Sequence, residues 1–124
     1  MFDHVKIGVS NFAASKAFYI QALAPLGIKP GAEGEPSYGI EFCSDSIASF
    51  ILFQTGEKPA HLHIAFIART REEVEEFYRA ALAAGGKDHG APGLRTHYNA
   101  NYYAAFVIDP DGHNIEAVCQ KPGL

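Results

Sequence analysis

The sequence predicts an α+β fold built from two βαβββ modules. Three observations predict it. Displacing the 124-residue chain against itself by 59 residues aligns His4–Gly27 with His63–Gly86, and seven of those 24 pairs are identical. They are His4/His63, Phe18/Phe77, Tyr19/Tyr78, Ala22/Ala81, Leu23/Leu82, Ala24/Ala83 and Gly27/Gly86, where chance gives about one or two for ordinary residue frequencies. Each copy opens with a strand-like alternation and passes into a helical repeat. Each is then followed by three short alternating segments separated by turn residues. The chain length suits one domain, with a first module over about 1–57 and a second over about 58–124.

In the first module, Val5, Ile7 and Val9 alternate on one face of a strand. Asn11 suits a helix N-cap, because its carboxamide oxygen can accept from a free backbone N–H of the first turn. Ala14, Phe18, Ala22 and Leu26 recur at helical spacing, and Pro25 with Gly27 closes the helix. Strands follow near Ile28–Pro30, Tyr38–Cys43 and Ala48–Gln54, the last two joined at Ser44-Asp45-Ser46. In the second module, Leu62, Ile64 and Phe66 alternate. Thr70 and Glu73 have capping-box spacing ahead of Val74, Phe77, Ala81 and Leu82, and Gly85-Gly86 ends that helix. Strands follow near Lys87–His89, Tyr102–Ile108 and Asn114–Cys119. The turn Asp109-Pro110-Asp111-Gly112 is strongly marked, since proline presets φ and glycine accepts positive φ. Segments 31–37 and 90–101 read as loops.

Composition narrows the function. The formal net charge is −4, and the ten Lys and Arg are scattered, which argues against a basic face for nucleic acid. No uncharged stretch approaches the length of a membrane span. Met1-Phe2-Asp3-His4 has no basic segment leading into an apolar one, so no export signal is expected. Cys43 and Cys119 lack metal-motif spacing and read as reduced thiols, Cys119 as a buried and inert one. A cytoplasmic protein without membrane or nucleic-acid partners is the expectation.

Side-chain alternation then isolates a chemistry. If Val5, Ile7 and Val9 face the helix, His4, Lys6 and Gly8 face away; likewise Leu62, Ile64 and Phe66 leave His61, His63 and Ala65 on the far side. In the last strand Glu116 shares the far face with Asn114 and Val118. Taken singly, each histidine reads as a strand residue bonded to a neighbour. As a trio related by the repeat, His4, His63 and Glu116 form a set of two imidazoles and a carboxylate suited to Zn, Fe, Mn, Ni or Co, with positions left open for water or substrate. A small-molecule substrate is implied.

These residues resemble the vicinal oxygen chelate superfamily, also called the glyoxalase/bleomycin-resistance/dioxygenase superfamily. The resemblance rests on Asp3-His4-Val5, Ser15-Lys16-Ala17-Phe18-Tyr19, His63-Ile64-Ala65-Phe66 and Asp109-Pro110-Asp111-Gly112-His113-Asn114-Ile115-Glu116, and covers nearly the whole chain. It implies that the two modules form a curved mixed sheet around an open cleft, with a divalent metal held by His4, His63 and Glu116 that chelates neighbouring oxygens of a substrate, and a homodimer. A fourth ligand, a carboxylate of the glyoxalase I branch, falls by the repeat on Phe50 or Leu52, both apolar, with Gln54 at the strand's end. The reading is a glyoxalase-like lyase or isomerase acting on vicinal oxygens. An iron-dependent dioxygenase and a metal-free, bleomycin-resistance-like binding protein are the alternatives.

Further candidates lie in Arg95–Tyr103, which places a cation, an imidazole and three phenols in one loop and strand start. Arg95 is expected to meet a substrate anion, and His97 or Tyr103 to transfer a proton. Tyr38 and Glu41 are placed at the cleft, Lys6 at its rim and His61 as an auxiliary group. His89 and His113 read as turn residues.

Overall fold

The computed structural model describes residues 2–57 and 61–123. The expected module boundary at 57/58 abuts residues 58–60, which lie outside the described residues. In chain order the elements are β1 (Val5–Val9), α1 (Phe12–Leu23), a 3-10 turn (Ala24–Leu26), β2 (Lys29–Glu33), β3 (Ile40–Ser44) and β4 (Ile47–Gln54), then β5 (His63–Ile67), α2 (Arg71–Ala83), β6 (Lys87–Leu94), β7 (Tyr103–Ile108) and β8 (Asn114–Cys119). This is βαβββ twice. The strands make two four-stranded sheets ordered β1-β4-β3-β2 and β5-β8-β7-β6. In each sheet the first strand runs parallel to the last and the other pairs are antiparallel.

The caps work as the residue types dictate. Asn11 Oδ1 accepts from Ala14 N at 3.1 Å, and Thr70 Oγ1 accepts from Glu73 N at 3.1 Å. Glu73 returns its carboxylate to Arg69 N, one residue before the cap, at 2.8 Å. α1 stops at Leu23 because Pro25 lacks an N–H for the next helical bond, and Gly27 at φ +77° turns the chain out. The hairpin between β3 and β4 places Asp45 and Ser46 at φ +52° and +66°, the left-handed pair that a two-residue connection requires.

Two elements are longer than their sequence pattern. β2 runs to Glu33 and β6 to Leu94. In β6, Gly90, Pro92 and Gly93 look like loop residues. The structure absorbs them as register shifts on either side of Gly90 in an edge strand, where proline's missing donor and glycine's freedom are tolerated.

Each helix covers one face of its own sheet, and the two helices also pack on each other. α1 therefore buries Phe18, Tyr19, Ala22 and Leu23, more than one stripe of its surface. Aromatic rings join the modules: Phe18 meets Tyr19 at 5.0 Å, Tyr19 meets Phe50 at 5.2 Å and Phe50 meets Phe66 at 5.3 Å. The turn after β7 clamps them further. Asp111 accepts from Ser10 N (3.2 Å), Ser10 Oγ (2.5 Å) and Ser15 Oγ (3.3 Å), while Tyr19 donates to Asp109 at 2.5 Å. Burial, then Asp109, pushes the Tyr19 phenol well above its ordinary pKa, so it stays a donor.

Helices and turn thus tie the modules together, but the sheets do not. No ladder joins them among the described residues, and β1 and β5 are both unpaired edges.

Candidate functional site

The face of the second sheet turned away from α2 carries the chemistry. β5 and β8 are parallel with Ala65 opposite Glu116 and His63 opposite Asn114, so His63 and Glu116 project from the same face, two residues apart in register. His63 Nε2 lies 2.7 Å from Glu116 Oε1. The imidazole is 52% exposed and the carboxylate 2%. Buried carboxylates need partners, and the other oxygen has one: Tyr102 OH donates to Oε2 at 2.5 Å. Desolvation, then Glu116, pushes the Tyr102 phenol up to about 12, so it donates throughout the neutral range.

The segment before β7 makes this burial possible. It folds back through Arg95 N donating to Tyr102 O at 2.7 Å and Asn99 Nδ2 donating to Gln120 Oε1 at 2.8 Å. Outside it lies a groove of about 400 Å³ lined by His63, His89, Gly90, Arg95, Tyr98, Phe106 and Asn114. A larger cavity of about 600 Å³ lies by the start of α2, among Arg69, Arg71, Glu75, Tyr103 and Cys119. It holds no histidine, so we place the site in the smaller groove.

Several sequence expectations land elsewhere. His4 precedes β1, is exposed, and bonds its neighbour Asp3 at 2.7 Å. Among the described residues no three His, Cys, Asp or Glu side chains lie close enough to hold a metal ion. The pair His63 and Glu116 is assembled within the chain, and His4 does not join it. The reason is architectural: β1 and β5 belong to separate sheets.

Tyr103 is on the wrong face for the groove. It opposes Cys119 in the ladder and donates its hydroxyl to Glu75 of α2 at 2.7 Å. Its neighbour Tyr102, whose parity is opposite, reaches the site instead. His97 is exposed and stacks on Tyr98 at 4.1 Å without lining the groove. Arg95 does line it. His61 lies beside His113, with ring centroids 6.5 Å apart, and does not line the groove. His113 closes the turn after β7, where Asp109 N donates to its backbone oxygen at 3.0 Å, and its fully buried ring accepts from Leu62 N at 3.0 Å, so this turn residue also holds the entry to β5. His89 is a β6 residue and lines the groove.

The register also corrects the position equivalent to Glu116 in the first module. Lys6 opposes Ile51 as Ala65 opposes Glu116, which makes Ile51 the equivalent. Phe50 and Leu52 face the core, and Gln54 is occupied with Phe12 N at 2.9 Å and Ser10 O at 2.7 Å. Ile51 is apolar too, so the fourth carboxylate is absent from that strand. The nearest acid on this face is Glu41, directly opposite Ile51 in β3, accepting from Tyr38 OH at 3.2 Å.

Residues 1–117 match the model of the glyoxalase/bleomycin resistance protein/dioxygenase superfamily. The chain belongs to this superfamily. It is 32% identical to a glyoxalase/bleomycin resistance protein from Albidiferax ferrireducens T118, over 98% of this chain and 99% of that one, with a TM-score of 0.81. A glyoxalase-related enzyme from Fulvimarina pelagi is 19% identical over 96% of this chain and 87% of that one, TM-score 0.74. An enzyme of the same superfamily from Burkholderia phytofirmans PsJN is 19% identical over 96% and 98% respectively, TM-score 0.73. No curated protein matches the chain. The superfamily includes glyoxalases, dioxygenases and bleomycin resistance proteins, so membership fixes the architecture and not the reaction. No helix among the described residues is long and apolar enough to cross a membrane.

One consequence of the Tyr102 contact is testable. A phenol held protonated to about 12 in the fold, but titrating near 10 when unfolded, adds stability that is fully present below pH 10. That contribution is lost as pH rises from about 10 to about 12. Urea unfolding of Tyr102→Phe across that window should show a shallower alkaline loss than the unsubstituted chain.

Proposed function

We propose that the protein is a small divalent-metal-dependent enzyme of glyoxalase type, a lyase or isomerase acting on a compact substrate with vicinal oxygens, and that it works as a homodimer. The observation that carries this reading is the His63–Glu116 pair: an imidazole nitrogen that lines the groove, 2.7 Å from the oxygen of a carboxylate buried behind it. Ligand atoms on bonds of about 2.0–2.2 Å stand roughly 3 Å apart around one ion, so this donor set suits a shared cation. Two donors are too few. The third is His4 of the partner subunit, brought in if the free β1 edge of one chain pairs with the free β5 edge of the other. Such pairing removes both unpaired edges, is isologous, and covers Ile67 of β5, which is 81% exposed.

A divalent metal bound there supplies Lewis acidity toward the substrate's vicinal oxygens. The protein's own part is positional. Tyr102 holds Glu116 oriented through its second oxygen, as outer hydrogen bonds do for ligands generally. Glu41, on the face of the first sheet that such a dimer turns toward the groove, is the carboxylate available to take a proton.

The alternative reading, a metal-free binding protein, draws on the lack of a three-donor cluster within one described chain. Elemental analysis of protein purified without chelator separates the two. We expect about one divalent ion per chain, and Glu116→Gln to lose it, because an amide keeps the shape but not the charge. A metal-free wild type, or a Glu116→Gln variant that holds as much metal, gives the lead to the binding protein.

A further inference from the structure

We infer that Arg95 forms an oxyanion subsite beside His63, so that the ligand of this groove is an anionic compound carrying a carboxylate or phosphate group. The inference builds on the proposed metal site only for where the rest of the ligand lies. Its own support is how the guanidinium is held.

Arg95 is fixed without any acid. Its Nη2 donates to the backbone oxygen of Ala91 at 2.7 Å, and its guanidinium carbon lies 5.4 Å from the centroid of the Phe106 ring. Among the described residues no carboxylate pairs with it within 4.0 Å. Of its five N–H donors, one is used. The rest belong to a cation restrained by an aromatic face and one carbonyl, which keeps its full charge and its planar fork for an incoming group.

The backbone is shaped around this placement. A Cβ at Gly90 would stand 3.2 Å from Nη2 and one at Gly93 3.1 Å from Nη1. Gly90 also adopts φ +152°, a conformation that L side chains rarely take. Gly93 therefore leaves room for the guanidinium, and Gly90 for the guanidinium and the Phe106 ring, whose Cδ1 would stand 2.9 Å from a Cβ there.

The surroundings favour an anion. The groove is lined by Arg95, His63 and His89, and its lining includes no acid; Glu116 lies buried behind it, already engaged by His63 and Tyr102. Phe106 ties the subsite to the metal-binding pair, since the His63 ring centroid is 6.1 Å from its own. One end of a compact ligand can thus meet Arg95 while the other lies beside His63, in front of the buried Glu116.

Calorimetric titration of the full-length protein tests this, with Co(II)-loaded and chelator-treated samples. The probes are catechol, which has vicinal oxygens and no acid group, 3,4-dihydroxybenzoate, which adds a carboxylate, and inorganic phosphate. The loaded protein should bind 3,4-dihydroxybenzoate about tenfold more tightly than catechol, the scale of a charge-assisted hydrogen-bond pair. Arg95→Gln should abolish that preference and leave catechol binding unchanged, and Arg95→Lys should keep part of it. Phosphate that displaces 3,4-dihydroxybenzoate from the chelator-treated protein would mark a general oxyanion site, and failure to displace it a carboxylate site. Either outcome supports the subsite if binding of 3,4-dihydroxybenzoate by the chelator-treated protein is lost in Arg95→Gln. Equal binding of catechol and 3,4-dihydroxybenzoate by the wild type, or parallel loss of both in Arg95→Gln, would overturn it. Catechol that fails to bind the Co(II)-treated wild type counts against the metal reading alone, because the chelator-treated comparison of wild type with Arg95→Gln still decides the subsite.

Discussion

Mixing His4→Ala chains with Glu116→Gln chains should restore about a quarter of the metal sites that each variant lacks on its own. In a dimer whose site takes His63 and Glu116 from one chain and His4 from the other, each variant alone has two defective sites. A mixed dimer has one site in which both lesions coincide and one in which all three ligands are intact. Random mixing makes half the dimers mixed, which gives the expected fraction. A site built within one chain predicts none, because each chain carries its own lesion. The motivation is spatial: His63 and Glu116 are in contact, whereas among the described residues His4 bonds its neighbour Asp3 and stands beside an edge without a partner strand. Two affinity tags on co-expressed chains isolate the mixed dimer, and elemental analysis reads the result. Tagged mixed dimers without metal would reject a shared site. A chain that never dimerises would reject it as well.

What was legible in the sequence follows from what alternation can express. His63 and Glu116 share a face by parity alone, and parity within a strand is fixed by the pleat. The same rule fails by one residue wherever the start of a strand is misjudged. β7 begins at Tyr103, so Tyr103 turns to α2 and Tyr102 to the site. Likewise the turn between β3 and β4 closes so that Ile51, not Phe50 or Leu52, shares the face turned away from the core. Gly90, Pro92 and Gly93 hid the second half of β6, because the residues that accommodate the bulges and Arg95 are those that mark a loop in isolation. The repeat predicted that His4 and His63 are equivalent, which concerns each module's interior. It carries no information on whether equivalent strands meet within one chain or between two. That choice belongs to the packing of α1 on α2 and to the clamp of Asp111 on Ser10 and Ser15.

Phe18→Ala should destabilise the fold by about 3–5 kcal/mol, the usual range for emptying a core aromatic site, whether or not metal is added. Phe18 is 1% exposed and stands edge-on to Tyr19 at 5.0 Å, in the ring cluster that joins the modules. A Cβ on Gly86 would already lie 2.7 Å from its ring, so the neighbouring backbone is fitted closely to it. Truncation leaves a void between α1 and the end of α2 that rigid elements on both sides cannot collapse to fill. Glu116→Gln should leave the unfolding midpoint nearly unchanged. The amide oxygen still accepts from Tyr102 and its NH₂ can donate to His63 in the other tautomer, so no buried polar group is orphaned. Urea unfolding with and without added Co(II) separates the two roles. Phe18→Ala should be unstable in both conditions, and Glu116→Gln stable in both but metal-poor. Added Co(II) should stabilise the wild type and Phe18→Ala by the same increment, because a native-state ligand adds RT ln(1 + [L]/Kd) to each; a gap between the two that closed on adding metal would place the ion in the core that joins the modules rather than beside His63.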